Sequence, residues 1–246
     1  DNGYDISDYR DIDPLFGTLA DLDELVAEAH RLGIRVLLDL VLNHSSTEHS
    51  WFAESRADPG GPFGDFYHWA DPALDGGLPN NWRSFFSIPA WTWDELRGQY
   101  YLNLFAPQQA DLNWANAAVR EQMRGIANFW LERDVDGFRM DVINLISKAP
   151  GYPSIPPGGD PRGFFIDGPE ALGWIQEFRA GLHRPDEVLL VGETPGTTAR
   201  TLRSWTAEEH RALNMVISFE HVSVDHGPGG KWDPRDLRPA ELARVL

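Results

Sequence analysis

The chain has no cysteine among its 246 residues, which excludes disulfides, thiolate catalysis and cysteine-ligated zinc together. A cysteine-free chain tolerates either redox environment. Positive charge is also scarce: Lys and Arg total 21 against 38 Asp and Glu, a formal charge of −17. Nucleic-acid backbones and anionic membrane surfaces select for clustered Lys and Arg, so neither is expected as a partner. Long apolar runs are missing too. The best stretch, Ile34 to Leu42, is broken by Arg35 and Asp39 and falls short of the ~18 residues a membrane span needs. The chain opens on Asp1-Asn2-Gly3-Tyr4 without an initiator Met or a signal peptide. It reads as a segment of a longer, cytoplasmic protein.

Hydrophobic residues make up 42% of the chain and Trp alone numbers 10, enough for a substantial core and against wholesale disorder. The length fits one large domain, or one domain with an insertion. Thr18-Leu-Ala-Asp21 reads as a capping box, followed by Leu22, Leu25, Val26, Ala29 and Leu32 at helical spacing, with Gly33 as the stop. Ile34 to Leu42 is too continuously apolar for a half-exposed strand and suits a parallel strand covered on both faces. The unit recurs. Asn116 caps a helix carrying Val119, Met123, Ile126, Phe129 and Trp130 before a strand at Gly137–Val142. Helices near 169–182 and 198–213 precede strands at Val188–Gly192 and Met215–Phe219. Alternating helices and buried strands predict an α/β fold with a parallel sheet.

Residues 45–113, rich in Trp, Pro, Gly and Asn, break this rhythm and are expected to form a small inserted domain. That divides the chain into a first barrel part at 1–44, the insertion, and a second barrel part at 114–246. Residues 151–163 read as an exposed loop. Four strands are countable where a closed (β/α)8 TIM barrel has eight, so the expected architecture is a partial barrel.

Each strand ends in a polar cluster: Asp39 with Asn43-His44, Arg139 with Asp141, then Glu193, then Glu220-His221. In β/α barrels the carboxyl ends of the strands form the active-site face. Arg139 and Asp141 stand two apart and point to the same side. A guanidinium beside Asp141 favours its ionised form, as a nucleophilic carboxylate requires. Glu193, from a separate strand, is the candidate acid, with a pKa expected above the free value of ~4.3. Two carboxylates in contrasting environments suit glycoside hydrolysis.

Several motifs carry a family resemblance. Asp39-Leu-Val-Leu-Asn-His44, Gly137-Phe-Arg-Met-Asp-Val-Ile-Asn144 and Gly192-Glu193 resemble the first three signatures of the α-amylase family, in order. Gln109-Ala-Asp-Leu-Asn113 resembles the short motif near the end of that family's inserted domain. Asp1 to Tyr9, Glu48-His-Ser-Trp-Phe52 and Pro79-Asn-Asn-Trp82 are similar to the oligo-1,6-glucosidase and α-glucosidase branch.

The resemblance implies Asp141 as nucleophile, Glu193 as general acid/base and Arg139 as the group orienting Asp141. It implies His44 as a hydrogen-bond partner of the sugar, Tyr4 as the platform beneath it and Asp1 as the grip on its non-reducing end. Phe86, Phe105 and Gln109 would wall the pocket, Asp39 and Asn43 would be structural, and Val142 would accompany α-1,6 activity. No cofactor is required, and the family's calcium loop would lie outside this segment. The family's fourth signature, a His-Asp pair, has no match, since His221 and Asp225 sit in the strand region before it. The implied function is a retaining α-glucosidase acting on short α-linked oligosaccharides, α-1,6 and/or α-1,4, from the non-reducing end. A sucrose isomerase or transglycosylase, and a non-catalytic carbohydrate-binding or transporter-associated relative, are the alternatives.

Overall fold

The computed structural model describes residues 3–227 and 230–245. In chain order the elements are α1 (Leu19–Arg31), β1 (Leu37–Val41), β2 (His44–Ser46), α2 (Ser50–Ala57), β3 (Trp69–Ala70), β4 (Trp91–Asp94), β5 (Gln99–Leu102) and β6 (Gln109–Asp111). Then come α3 (Ala117–Leu131), β7 (Gly137–Asp141), α4 (Ala171–Ala180), β8 (Leu189–Thr194), α5 (Ala199–Thr206), β9 (Met215–Ser218), β10 (His226–Gly227), β11 (Gly230–Pro234) and α6 (Pro239–Val245). The capping box forms: the Asp21 amide donates to Thr18 Oγ1 at 3.3 Å, and the Thr18 amide donates to Asp21 Oδ2 at 2.7 Å.

Strands β1, β7, β8 and β9 form one parallel sheet in that order, an α/β partial barrel. Alternation divides the side chains of β7. Phe138 and Met140 enter the main core with Met123 and Ile126 of α3 and Ile175 and Phe178 of α4. Arg139 and Asp141 project to the opposite face, where the site lies. Between β1 and β7 the chain makes two small antiparallel sheets, β2–β6 and β3–β5–β4. A second apolar cluster, with Trp82, Trp91, Leu102 and Leu104 around Val142, Leu145 and Phe165, packs this excursion against the segment after β7.

Several elements differ from the sequence reading. Strand β1 begins at Leu37 instead of Ile34. Its outer half is not covered: Ile34 is 56% and Leu37 41% exposed, as are Leu25 (58%) of α1 and Leu32 (59%), which follows it. No strand pairs with that edge of β1 among the described residues, so the apolar periodicity is present without its partner. Strand β7 stops at Asp141 because Val142 is left-handed, at φ 39° and ψ 42°. The helix expected to reach residue 213 ends at Thr206 and is followed by a short 3-10 turn at Glu208–His210. The loop 151–163 is tethered in its first part. Asn80 Nδ2 donates to the Tyr152 carbonyl (2.9 Å), Trp82 Nε1 to that of Pro153 (3.0 Å) and Asn81 Nδ2 to that of Ile155 (2.7 Å).

Candidate active site

Parallel pairing sets Asp39 beside Arg139 and Met140 beside Gly192. The next residues along β7 and β8 are Asp141 and Glu193. Arg139 joins the carboxylates at this face. Its Nη1 donates to Asp141 Oδ1 at 2.7 Å and to Asp39 Oδ1 and Oδ2 at 2.9 and 3.0 Å, while its Nη2 pairs with Glu193 Oε2. Burial opposes the Arg139 charge, but Asp39, Glu193 and Asp141 outweigh it and hold the guanidinium more firmly protonated than usual.

One cation therefore faces three acids, and the electrostatics of Asp141 follow. Burial first, then the hydrogen bond and charge of Glu193, push the Asp141 carboxyl up to about 7, with Arg139 opposing. Arg139 does favour the ionised form of Asp141, as expected from the sequence, but it is divided among three carboxylates and is outweighed by burial, Asp141 being only 6% exposed, and by Glu193.

Tyr4 is held at this face by its hydroxyl, which donates to Asp39 Oδ2 at 3.0 Å, and its ring lies 5.7 Å from the Arg139 guanidinium carbon. Burial and then Asp39 raise the Tyr4 pKa. His44 arrives from β2. Its Nε2 lies 3.0 Å from the Tyr4 carbonyl and its Nδ1 lies 3.3 Å from Asn43 Nδ2. Gln109 Nε2 lies 3.1 Å from the same Nε2 of His44, so both ring nitrogens have partners within the protein. Burial lowers the His44 pKa to about 4, which keeps the ring neutral. Gln109 backs it: its Nε2 lies 3.3 Å from the Tyr4 carbonyl and its Oε1 accepts from the Ala106 amide.

Phe105 sits against His44, ring centres 5.3 Å apart, and Phe86, 54% exposed, meets Phe105 edge-on. Phe85 stacks on Phe105 at 5.2 Å and was missed in the sequence, where it reads as core. Asp1 lies outside the described residues. Around the turn that follows Glu193 opens a cleft of about 720 Å³ lined by Phe85, Phe86, Arg162, Pro195, Thr197 and Glu220, among others; neither Asp141 nor Glu193 is in its lining.

Beneath the face, Asn43 Nδ2 donates to Asp111 Oδ1 (2.9 Å), and Lys148 Nζ reaches both Asn43 Oδ1 and Asp111 Oδ1 at 2.7 Å. All three side chains are buried. Burial lowers the Lys148 pKa and Asp111 opposes that shift. Asn43 is thus structural in placement, whereas Lys148 carried no sequence signal, since an isolated Lys reads as a solvated one. Among the described residues, no group of three or more His, Asp or Glu is arranged to hold a metal ion, and no helix is long and apolar enough to cross a membrane.

The profile described as "Alpha amylase, catalytic domain" matches residues 1–245. The chain belongs to the α-amylase family. This α-amylase family chain is 48% identical over 247 residues to the oligo-1,6-glucosidase of Halalkalibacterium halodurans, a match covering 98% of the chain and 43% of that protein. Among solved structures it resembles a Bacillus licheniformis trehalose-6-phosphate hydrolase with a TM-score of 0.92 at 43% identity. It also resembles a Klebsiella isomaltulose synthase with a TM-score of 0.93 at 36% identity. Each of these matches covers 100% of this chain and 44% of the other. The chain therefore spans less than half the length of each of these three relatives.

Proposed function

We propose that this chain carries the nucleophile and the acid/base of a retaining α-glucosidase, acting on short α-linked gluco-oligosaccharides from the non-reducing end. One observation carries the reading: Asp141 and Glu193, on neighbouring strands, are bound by two nitrogens of a single guanidinium. Groups held in that way by one guanidinium favour the short spacing of retaining enzymes, ~5–5.5 Å, over the ~6.5–9.5 Å gap that admits a water in inverting ones.

In the first step Glu193 passes a proton to the leaving oxygen, while ionised Asp141 attacks the anomeric carbon to form a glycosyl ester. Glu193, now a carboxylate, takes a proton from water as the water attacks the ester, which returns free Asp141. Tyr4 and Phe105 offer aromatic surface to the sugar, and Arg139 stays charged throughout.

The similarity to an oligo-1,6-glucosidase supports α-1,6 linkages. Val142 offers little surface to a leaving sugar, being 5% exposed and packed with Trp82 and Trp91. A phosphorylated substrate is less well matched: Arg162 in the cleft is paired with Asp160, and Glu220 lies in the same lining. The likeness to an isomaltulose synthase keeps sugar transfer as the second reading.

The full-length protein should release glucose from isomaltose with the α-anomer formed first by proton NMR, and should convert sucrose to no isomeric disaccharide. First release of β-glucose overturns the retaining assignment, and accumulation of an isomer from sucrose establishes the second reading. Glu193→Gln should lower kcat/KM on isomaltose by ~10²–10⁴-fold and affect p-nitrophenyl α-glucoside far less, because nitrophenolate leaves without protonation.

A further inference from the structure

The backbone ladder between β7 and β8 ends at the Met140–Gly192 pair, one residue short of both carboxylates. Asp141 still pairs with Val41 of β1, and Glu193 and Thr194 with Ile217 and Ser218 of β9, and each strand then turns sharply. Val142 adopts its left-handed conformation and leads into a short 3-10 helix at Ile143–Leu145. After Glu193 comes a turn in which the Thr197 amide approaches the Thr194 carbonyl at 3.4 Å, with Pro195 and Gly196 at its centre and Gly196 at φ 74°. Proline followed by a positive-φ glycine is the pattern of a type II turn. The two turns that follow the carboxylates are thus not joined to each other by sheet hydrogen bonds.

A buried polar group connects them. Asn144, three residues after Asp141, places Nδ2 2.9 Å from the Pro195 carbonyl, 2.8 Å from Thr197 Oγ1 and 3.1 Å from Asp167 Oδ1. Thr197 Oγ1 donates in turn to the same Asp167 oxygen at 2.9 Å. The Asp167 amide closes the circuit on the Asn144 carbonyl at 2.9 Å, and Asp167 is itself left-handed at φ 50°. Asn144 is fully buried and Thr197 is 3% exposed. Water therefore competes poorly for these bonds, and a broken one leaves an unsatisfied buried group.

We infer that Asn144, Asp167 and Thr197 form a brace that sets the position of Glu193 relative to Asp141, acting as positioning residues for the proton transfer. The inference rests on the functional reading above. Its physical content is specific: the brace links the turn after Asp141 to the turn after Glu193. A displacement on the order of 1 Å at a reacting group costs ~10²-fold in rate. Protonation of the leaving oxygen is the step most sensitive to such a shift, because Glu193 must lie within hydrogen-bond reach of that oxygen.

The test uses the full-length protein and two substrates, isomaltose, whose leaving group needs a proton, and p-nitrophenyl α-glucoside, whose leaving group does not. Thr197→Val removes both bonds of the hydroxyl at nearly constant shape. It should shift the isomaltose to nitrophenyl kcat/KM ratio at least ~10-fold downward. Asp167→Ala, which frees Asn144 and Thr197 together, should shift the ratio the same way, and it decides the matter if Thr197→Val does not fold. Thr197→Ser restores the hydroxyl and should return the wild-type ratio. A role confined to stability lowers the folded fraction and hence both substrates equally. An unchanged ratio in whichever of the two variants folds therefore overturns the brace, whatever happens to Tm. Failure of the functional reading is distinguishable, since the wild-type protein would then cleave neither glucoside.

Discussion

Asp141 is asked to be buried, close to a second acid, and ionised at the moment of attack. The first two demands oppose the third, and the upward push to about 7 measures the conflict. The native state binds a proton that the unfolded chain, with an ordinary aspartate near 3.8, has released. Stability linked to this group is therefore greatest at low pH and declines as pH rises from about 4 to about 7. Asp141→Asn should remove nearly all turnover, because an amide cannot form the glycosyl ester. It should also raise Tm at pH 8, where the wild type carries the buried charge, and raise it less at pH 5. Calorimetry of the two proteins at both pH values checks the sign, and equal Tm values at pH 8 would show that the burial of Asp141 is fully compensated.

At this scale the sequence was informative where chemistry is concentrated in short spacings. Arg139 and Asp141 two apart on a strand, and Glu193 at the end of the next, sufficed to nominate the acids. The state of Asp141 was not legible, because it depends on how one guanidinium is divided among side chains 100 and 54 residues away. Asn144 lay inside a motif already quoted, but an asparagine reveals its partners only when the turn it faces is known.

At the scale of elements, Pro79-Asn-Asn-Trp82 acquires a mechanical role. Asn81 forms a two-way pair with Ile155, its Oδ1 accepting from the Ile155 amide at 2.8 Å and its Nδ2 donating to the Ile155 carbonyl at 2.7 Å. With Asn80 and Trp82 it ties the excursion to the loop that continues to Asp160, Pro161 and Arg162 in the cleft lining. This loop reads from the sequence as exposed, as it is, and its Pro and Gly content gives no sign of these tethers. Asn81→Ala should loosen one wall of the cleft without touching the carboxylates. The expected signature is a KM for isomaltose raised about threefold or more, with kcat within about twofold, as for loss of binding that is uniform along the reaction. A fall in kcat at constant KM would place Asn81 in the chemistry instead.

On the scale of the whole molecule, the sheet has two unpaired edges among the described residues, β1 and β9. Apolar side chains collect at both: Ile34 and Leu37 at one, Met215 (56% exposed) and Ile217 (39% exposed) at the other. An unpaired edge flanked by apolar surface favours association with other chains. The 246-residue chain expressed by itself should therefore unfold without a sharp calorimetric transition and should associate at micromolar concentration. A single cooperative transition of a monomer would show that the four-strand sheet is self-sufficient. The partial barrel was legible from the rhythm of helix and strand. The exposure of Leu25 and Leu32 was not, since periodicity marks a face to be covered and says nothing of whether the cover lies within the same stretch.

The excursion between β1 and β7 begins and ends at one place. β2 and β6 pair antiparallel, His44 opposite Asp111 and Ser46 opposite Gln109, and Lys148 locks this neck from below through Asn43 and Asp111. A loop whose ends are already joined is indifferent to much of what lies between them: doubling its length adds only ~0.6 kcal/mol of closure entropy. The exposed turns between Ser46 and Gln109 can thus lengthen or shorten at little cost, while Trp82, Trp91 and Leu102, packed around Val142, anchor the rest of the excursion to the turn after Asp141. The neck and this apolar anchor behave as two hinges of one door: what hangs between them can vary in outline, and the frame that holds Asp141 and Glu193 does not move with it.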